Sequence, residues 1–336
     1  MQRVTQTEIA GKVLITGGTG SWGRELCSQL LDIDNVEEII IYSRNEHKQV
    51  DMSRDIDCPR VKFVIGDIRD KDSLKFAMRD VSIVFHLAAL KHVPVCEDNV
   101  WQTIDINVIG THNVVMAAME ANVGTLVDVS TDKAVDPLNT YGISKACGER
   151  LVTSAQHNYK SNTKFVCVRG GNVLGTNGSV IPLFKKQIEE KNHVTVTDPT
   201  MTRFLMRKKE AIAMIFEAVT FSRGGETFVM KMPGTTVDNI ARTMVRIYGN
   251  ESTSIIDMGT RPGEKKHEVL VSKNEAPFTY EFNEKFLVIA PEIAGTNNED
   301  YFSILDQVED REYSSENTHQ LDTTDLEKLI KLDDHS

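Results

Sequence analysis

Short apolar runs recur along the first half of the chain, each bounded by turn residues and followed by a stretch with helical spacing. The runs are residues 12–15, 38–42, 61–65, 83–87, 126–129 and 165–168. Continuous apolarity over so short a length reads as a buried strand. Between them, residues 24–31, 112–122 and the segment from Tyr141 onward carry helical spacing. This alternation from Val13 to about Val168 predicts an α/β fold built on a doubly wound parallel sheet. After Arg169 the pattern turns irregular, with Gly170, Gly171, Gly175 and Gly178 in a short span. The chain therefore divides into a sheet domain over 1–170 and a smaller lobe over 171–295, interleaved with returns to the sheet. An acidic, polar segment follows over 296–336, with one helix at 324–332, and residues 1–10 read as a short arm. No internal repeat or low-complexity tract interrupts this division.

Ligands of such sheets gather at the carboxyl ends of the strands, and Gly17, Asp67, Ala88 and Ser130 all fall there. The first strand runs into Gly17-Gly18-Thr19-Gly20-Ser21-Trp22-Gly23, and a helix follows. Glycines at these spacings let the backbone turn sharply and approach a pyrophosphate seated at the helix N-terminus. A purely structural turn is the alternative; the strand before and the helix after favour a dinucleotide. The second strand ends at Ser43-Arg44, with Lys48 beyond. An acid there would hold the ribose hydroxyls of NAD. A hydroxyl with cations instead suits the extra phosphate of NADP, and Glu46 leaves NAD as the alternative. Asp67 is placed to reach the adenine, with Ile68 beside it, and the small Ala88 and Ala89 admit close cofactor contacts.

The end of the fifth strand, Ser130-Thr131-Asp132-Lys133, is followed by Tyr141-Gly142-Ile143-Ser144-Lys145 on a helix. Hydroxyls, an acid, a phenol and two amines thus come from two adjoining elements. Tyr141 and Lys145, four apart, share a helix face. A free phenol ionises near about 10. An ammonium beside it favours phenolate, which suits Tyr141 to take a proton from an alcohol. The alternative for Asp132 and Lys133 is a surface ion pair in a turn, and Tyr141 with the glycine loop weighs against it.

Composition narrows the class. Of 336 residues, 40% are hydrophobic and 26% charged, ordinary for a soluble globular chain. The net charge of -11 argues against broad nucleic-acid binding. Cys27, Cys58, Cys96, Cys147 and Cys167 are scattered and odd in number, which favours reduced cytosolic thiols over disulfides or zinc. His92 and His267 lack a ligand cluster, so no metal is expected. With no bilayer-length apolar run and no signal-peptide pattern, a cytoplasmic protein off the membrane is expected.

Nine motifs span most of the chain. They are Gly17-Gly18-Thr19-Gly20, Ser43-Arg44, Gly66-Asp67-Ile68-Arg69-Asp70, Ala88-Ala89-Leu90-Lys91-His92-Val93-Pro94 and Ser130-Thr131-Asp132-Lys133-Ala134. Then come Tyr141-Gly142-Ile143-Ser144-Lys145, Gly171-Asn172-Val173-Leu174-Gly175, Met201-Thr202-Arg203-Phe204 and Arg261-Pro262-Gly263-Glu264-Lys265. In this order they resemble the extended short-chain dehydrogenase/reductases. Within them the chain is most similar to the soluble inverting UDP-N-acetylglucosamine 4,6-dehydratases of the polysaccharide-biosynthesis group. The Asp132-Lys133 pair and the Arg-Pro-Gly-Glu-Lys segment carry the resemblance more specifically than the glycine loop.

The resemblance implies a Rossmann domain over 1–170 that binds NADP tightly and recycles it within each turnover. Its contacts are expected from Gly17, Thr19, Gly20, Ser21, Trp22, Gly23, Ser43, Arg44, Lys48, Asp67, Ile68, Ala88, Ala89, Lys91, Tyr141 and Lys145. The substrate lobe is expected to bind a UDP-sugar. Arg261 and Glu264 are assigned to the nucleotide, Arg203 to phosphate and Asn172 to the diphosphate or sugar. Lys91, Thr131, Val180, Asp198, Thr200 and Met201 complete the set. The implied reaction starts with Tyr141 taking the C4 hydroxyl proton as C4 is oxidised. Lys133, neutral, then removes the C5 proton, and Asp132, protonated, assists loss of the C6 hydroxyl. Thr131 orients the C4 oxygen and Lys145 lowers the phenol's pKa and bonds the nicotinamide ribose. The product is a UDP-4-keto-6-deoxy-N-acetylhexosamine, typically with C5 inverted, used for amino sugars such as pseudaminic acid. A homo-oligomer is usual in this fold family. Two departures stand out: Gly170 replaces an aromatic, and Leu205-Met206-Arg207-Lys208-Lys209 is basic where the group is more apolar. The alternatives are a nucleotide-sugar 4-epimerase or 4-keto reductase, and a non-catalytic NADP-sensing protein.

Overall fold

The computed structural model describes residues 9–176, 179–260, 263–291, 299–309 and 311–334. Strands β1 (Gly11–Thr16), β2 (Val36–Ser43), β3 (Val61–Ile65), β4 (Val81–His86), β5 (Thr125–Thr131) and β6 (Lys164–Gly170) form at the apolar runs. Helices α1 (Ser21–Leu31), α2 (Glu46–Asp55), α3 (Lys71–Ala77), α4 (Val93–Asp98), α5 (Val100–Ile104), α6 (Thr111–Glu120) and α7 (Thr140–Asn158) lie between them. The strands pair in parallel in the order β3-β2-β1-β4-β5-β6. Successive residues of one strand point to opposite faces, and here both faces are covered. Ile15 packs with Leu26, Ile39 and Phe85 on one side, while Leu14 packs with Leu74, Val84 and Val114 on the other. Burial on both faces is why these strands read as continuous apolar runs rather than alternating ones.

The second half contributes β7 (Asn172–Val173), α8 (Val180–Lys191), β8 (His193–Val196), β9 (Thr202–Met206) and α9 (Lys208–Phe221). Next come β10 (Thr227–Met230), β11 (Gly234–Thr236), α10 (Val237–Tyr248), β12 (Ser254–Asp257) and β13 (Val269–Val271). The chain ends with β14 (Thr279–Glu281), β15 (Phe286–Ile289), α11 (Glu299–Phe302), β16 (Asp306–Gln307), β17 (Tyr313–Ser314) and α12 (Thr323–Asp334). Strand β10 extends the parallel sheet beside β6, and β15, β14 and β16 continue it antiparallel, to ten strands. The fold is thus a large, mostly parallel sheet with helices on both faces. A smaller core lies between α8, α10 and α12, where Phe184, Ile188, Val194, Ile240 and Met244 meet Leu326 and Ile330. Residues 299–334 serve both regions: β16 joins the main sheet, β17 pairs with β13, and α12 closes the smaller core. Leu326 is fully buried, so Leu326→Ala is expected to cost about 3 kcal/mol, read as a lower urea midpoint.

Both departures from the family pattern have local explanations. A Cβ on Gly170 would stand 3.1 Å from the Met230 sulfur, so Met230 occupies the volume that a larger side chain would need. Arg207 caps the start of α9 and pairs with Glu210 at 2.9 Å, and the Lys209 carbonyl accepts from Gln29 of α1. The basic run therefore begins a helix seated against α1.

Candidate active site

A cleft of about 1130 Å³ is lined by the carboxyl ends of β1, β2, β4 and β5, by residues 171–174, 176 and 179–181, by Arg203 and by residues 263–265. At one end Gly17 turns the chain with φ +67°, and a Cβ there would stand 2.9 Å from the Ala88 backbone. Gly20 then caps α1, and Thr19, Ser21, Trp22 and Gly23 line the cleft. The free N–H groups of a helix start suit an anion. Ser43 Oγ accepts from Gln49 at 3.0 Å and lies 3.4 Å from the Thr19 hydroxyl. Arg44 and Lys48 stand exposed beside it. Arg44 is 3.8 Å from the Asp67 carboxylate, whose nearer partner is Arg69 at 2.7 Å. Hydrogen bonds from Arg69 hold that carboxyl below its ordinary pKa.

The floor beneath Ala88 is fixed by a buried histidine. His86 lies between the Thr16 hydroxyl at 2.7 Å and the Thr111 hydroxyl at 3.0 Å. Thr111 donates its proton to the Asn107 carbonyl, so the His86 Nε2–H donates to Thr111 and Nδ1 accepts from Thr16. Thr16 Oγ1 in turn accepts from the N–H groups of Leu87 and Ala88. Burial pushes His86 down from 6.5 to about 4, with Asp128 opposing that shift and Lys145 adding to it. His86 is thus a neutral support for the cofactor loop.

At the other end, α7 begins after Asn139, whose side chain accepts from the Gly142 N–H at 2.9 Å and donates to the Gly263 carbonyl at 3.2 Å. One residue thus sets the helix start and docks the loop carrying Glu264. A Cβ on Gly142 would stand 2.2 Å from the Lys133 carbonyl, so glycine lets α7 press against the turn Asp132–Ala134. Lys145 is buried and holds both Asp128 oxygens at 3.2 Å. Burial alone would lower its pKa, but Asp128 and Tyr141 together, with a smaller pull from Cys167, raise it. For Tyr141, burial raises the phenol's pKa more than Lys145 and Lys133 lower it. Lys145 thus pulls the phenol's pKa down as expected, but burial sets the net shift upward.

Asp132 is fully buried behind the cleft wall. Its Oδ1 accepts from the Thr131 hydroxyl at 2.8 Å and from Lys133 Nζ at 3.0 Å, while Oδ2 has no hydrogen-bond partner. Lys133 Nζ also reaches Asn172 Oδ1 at 3.3 Å and Glu268 Oε1 at 3.5 Å. Burial alone would depress this amine, but Asp132 and Glu268 push it well above its ordinary value. The expectation of a neutral Lys133 is corrected accordingly: here it is an ammonium between two carboxylates.

Of the residues expected in the site, Ile68, Ala88, Ala89, Lys91, Thr131, Val180, Arg203 and Glu264 also line the cleft. Glu264 Oε2 is buried without a hydrogen-bond partner. Asp198, Thr200 and Met201 are not among the lining residues. Asp198 accepts from Thr200 in a turn, and Met201 is packed in the smaller core, its sulfur 3.2 Å from Arg203 Nη2. Arg261 lies outside the described residues.

Three positions that hold the residues around the cleft escaped the sequence reading. Asp128 had a usable signal, since an acid inside an apolar strand demands a cation. Asn107 bonds the Leu90 backbone through both side-chain ends and donates to Ser144 of α7 at 2.9 Å. It sits in a π-helical segment, Asp105–Gly110, and such segments favour functional sites. Glu268 had no local signal at all. Among the described residues there is no cluster of metal-ligating side chains, and no helix is long and apolar enough to cross a membrane.

Residues 13–290 match the family described as polysaccharide biosynthesis protein. The chain is 39% identical to a UDP-glucose 4-epimerase of Rickettsia bellii, over 95% of this chain and 94% of that one. It is 40% identical to a UDP-N-acetylglucosamine 4,6-dehydratase (inverting) of Campylobacter jejuni, over 87% of this chain and 86% of that one. The X-ray structure of Pen from Bacillus thuringiensis, 35% identical, superposes with a TM-score of 0.87 over 96% of this chain and 98% of that one. With this sheet, this glycine turn and a family match over most of its length, the chain belongs to the polysaccharide biosynthesis protein family of extended short-chain dehydrogenase/reductases.

Proposed function

We propose that the protein is an NADP-dependent 4,6-dehydratase acting on UDP-N-acetylglucosamine. The observation that carries this reading is the 3.0 Å contact between Asp132 and Lys133 beside Tyr141. A 4-epimerase oxidises and reduces C4, for which Tyr141 and Lys145 suffice. Loss of water across C5 and C6 needs a further base and a further acid. The relative of the same activity in Campylobacter jejuni supports the reading.

The cleft residues fit the cofactor. The Gly17 cradle leaves no room for a Cβ, and the buried Ser130 hydroxyl has no hydrogen-bond partner in the protein. Ser43 and Arg44 suit the extra phosphate of NADP. Arg44→Ala is expected to weaken NADP binding by about tenfold or more and to leave NAD binding nearly unchanged. Calorimetric titration with each dinucleotide checks this, and equal losses for both would remove Arg44 from phosphate recognition.

Held by the Gly17 turn, Ser43, Arg44 and Lys145, oxidised NADP would supply a hydride acceptor for C4 that gives the hydride back at C6. Tyr141 accepts the C4 hydroxyl proton. The C4 ketone acidifies C5, where Lys133 takes the proton while Asp132 protonates the departing C6 hydroxyl. The ion pair of the free protein and the working pair carry the same protons and differ only in where one of them sits. Its passage across the 3.0 Å contact from Lys133 to Asp132 yields both the free amine and the acid. Asn172 holds Lys133 at the cleft wall, and the Thr131 hydroxyl holds Asp132 directly behind it.

Identity with the Rickettsia enzyme favours a second reading, a UDP-sugar 4-epimerase. Incubation with UDP-N-acetylglucosamine in deuterated water, followed by proton NMR, separates the two. A 4-keto-6-deoxy product with deuterium at C5 is expected, and its couplings report whether C5 inverts. A C4 epimer retaining its C6 hydroxyl would establish the second reading instead.

A further inference from the structure

We propose that Glu268 is a positioning residue for Lys133, holding its Nζ as a second carboxylate while Arg203 keeps Glu268 itself in place. The role attached to Lys133 rests on the dehydratase reading above; the contact does not. Glu268 is buried, with Oε1 3.5 Å from Lys133 Nζ and 3.8 Å from Arg203 Nε. Its Oε2 is buried with no hydrogen-bond partner. A buried carboxylate is costly unless cations compensate it, and these two lie within reach.

The backbone is fixed independently of the side chain. The Glu268 N–H donates to Ser315 Oγ at 2.9 Å, and the Ser315 N–H donates to the Glu268 carbonyl at 2.8 Å. Ser315 Oγ also lies 2.6 Å from the Thr202 hydroxyl at the start of β9. The carboxylate is therefore carried by the paired edges of β13, β17 and β9 and placed beside the turn that follows β5. The charged groups grouped around it are Lys133 and Asp132 from that turn, Arg203 from β9 and Lys265 from the loop before β13, with Asp136 and Tyr141 nearby. Asp132 takes one of the three N–H donors of Lys133, and Asn172 and Glu268 lie on the remaining sides of the ammonium.

The consequence is a setting of proton affinity. Lys133 acts as a base only as the free amine. Each neighbouring carboxylate favours the ammonium, so the pH at which the amine becomes available rises with the number of carboxylates. Removing the charge of Glu268 therefore lowers the pKa of Lys133 and moves to lower pH the alkaline limb of the pH–rate profile, where the pair loses its shared proton.

The test is a titration of Lys133 by NMR in protein carrying 13C-labelled lysine, with its resonance assigned from Lys133→Arg. In the wild-type protein Lys133 is expected to titrate above an ordinary lysine. In Glu268→Gln it is expected to titrate lower by about one pH unit or more. Glu268→Asp, which keeps the charge at shorter reach, is expected to fall between them. The falling, alkaline limb of kcat against pH is expected to shift in the same order. A wild-type Lys133 that titrates below the ordinary lysine value overturns the proposal without any variant. So does a Lys133 titration unmoved in a folded Glu268→Gln protein. Failure of the wild-type enzyme to dehydrate UDP-N-acetylglucosamine would sink the dehydratase reading alone, because the titration needs no substrate.

Discussion

Tyr141→Phe is expected to lower kcat by about 100- to 10,000-fold with little change in KM for the UDP-sugar. The substitution removes one hydroxyl and leaves the ring packed on α7. The Thr131 hydroxyl does not replace it, because its proton is given to Asp132 at 2.8 Å. The Lys145 ammonium is bound to Asp128 and stays in place when the phenol is gone. Since elimination depends on prior oxidation at C4, no reduced nicotinamide should form. Single-turnover absorbance of the nicotinamide reads this directly. A Phe variant that still reduces its cofactor at the wild-type rate would take Tyr141 out of the chemistry.

Asp132→Asn divides the same reaction at a later point. Its expected loss in kcat is again about 100- to 10,000-fold, but with reduced nicotinamide accumulating in a single turnover. Asparagine has nearly the same shape and keeps an oxygen for the Thr131 and Lys133 donors. It has no carboxylic proton to pass to the departing C6 hydroxyl. Oxidation at C4, served by Tyr141 and Lys145, should proceed and then stall. The accumulated cofactor signal therefore distinguishes a missing acid from a missing base at C4. Product formation at the wild-type rate would return Asp132 to a structural ion pair.

The two variants act on groups that differ in how openly the sequence declared them. Tyr141 and Lys145 are four apart on one helix, so their shared face follows from helix geometry alone. Their charge balance does not, because it depends on Asp128 from β5 and on how deeply both are buried. Asp198, Thr200 and Met201 precede Arg203 closely in the chain, yet the lobe turns them away from the cleft that Arg203 lines. Lys133 shows the limit most clearly. Burial alone predicts a neutral amine, and two carboxylates overturn that, one adjacent in the chain and one brought from just before β13.

The sequence by itself determined the parallel sheet of the first half, the glycine turn at its head and the order of the chemical groups along the strand ends. Those features depend on periodicity and backbone sterics, which act between residues a few positions apart. Only the tertiary structure decided that β10, β14, β15 and β16 extend the sheet, that α12 closes the smaller core, and that Glu268 and Asp132 share one ammonium. Burial and charge sum over neighbours in space, and for Lys133 the deciding neighbours are brought together by the fold.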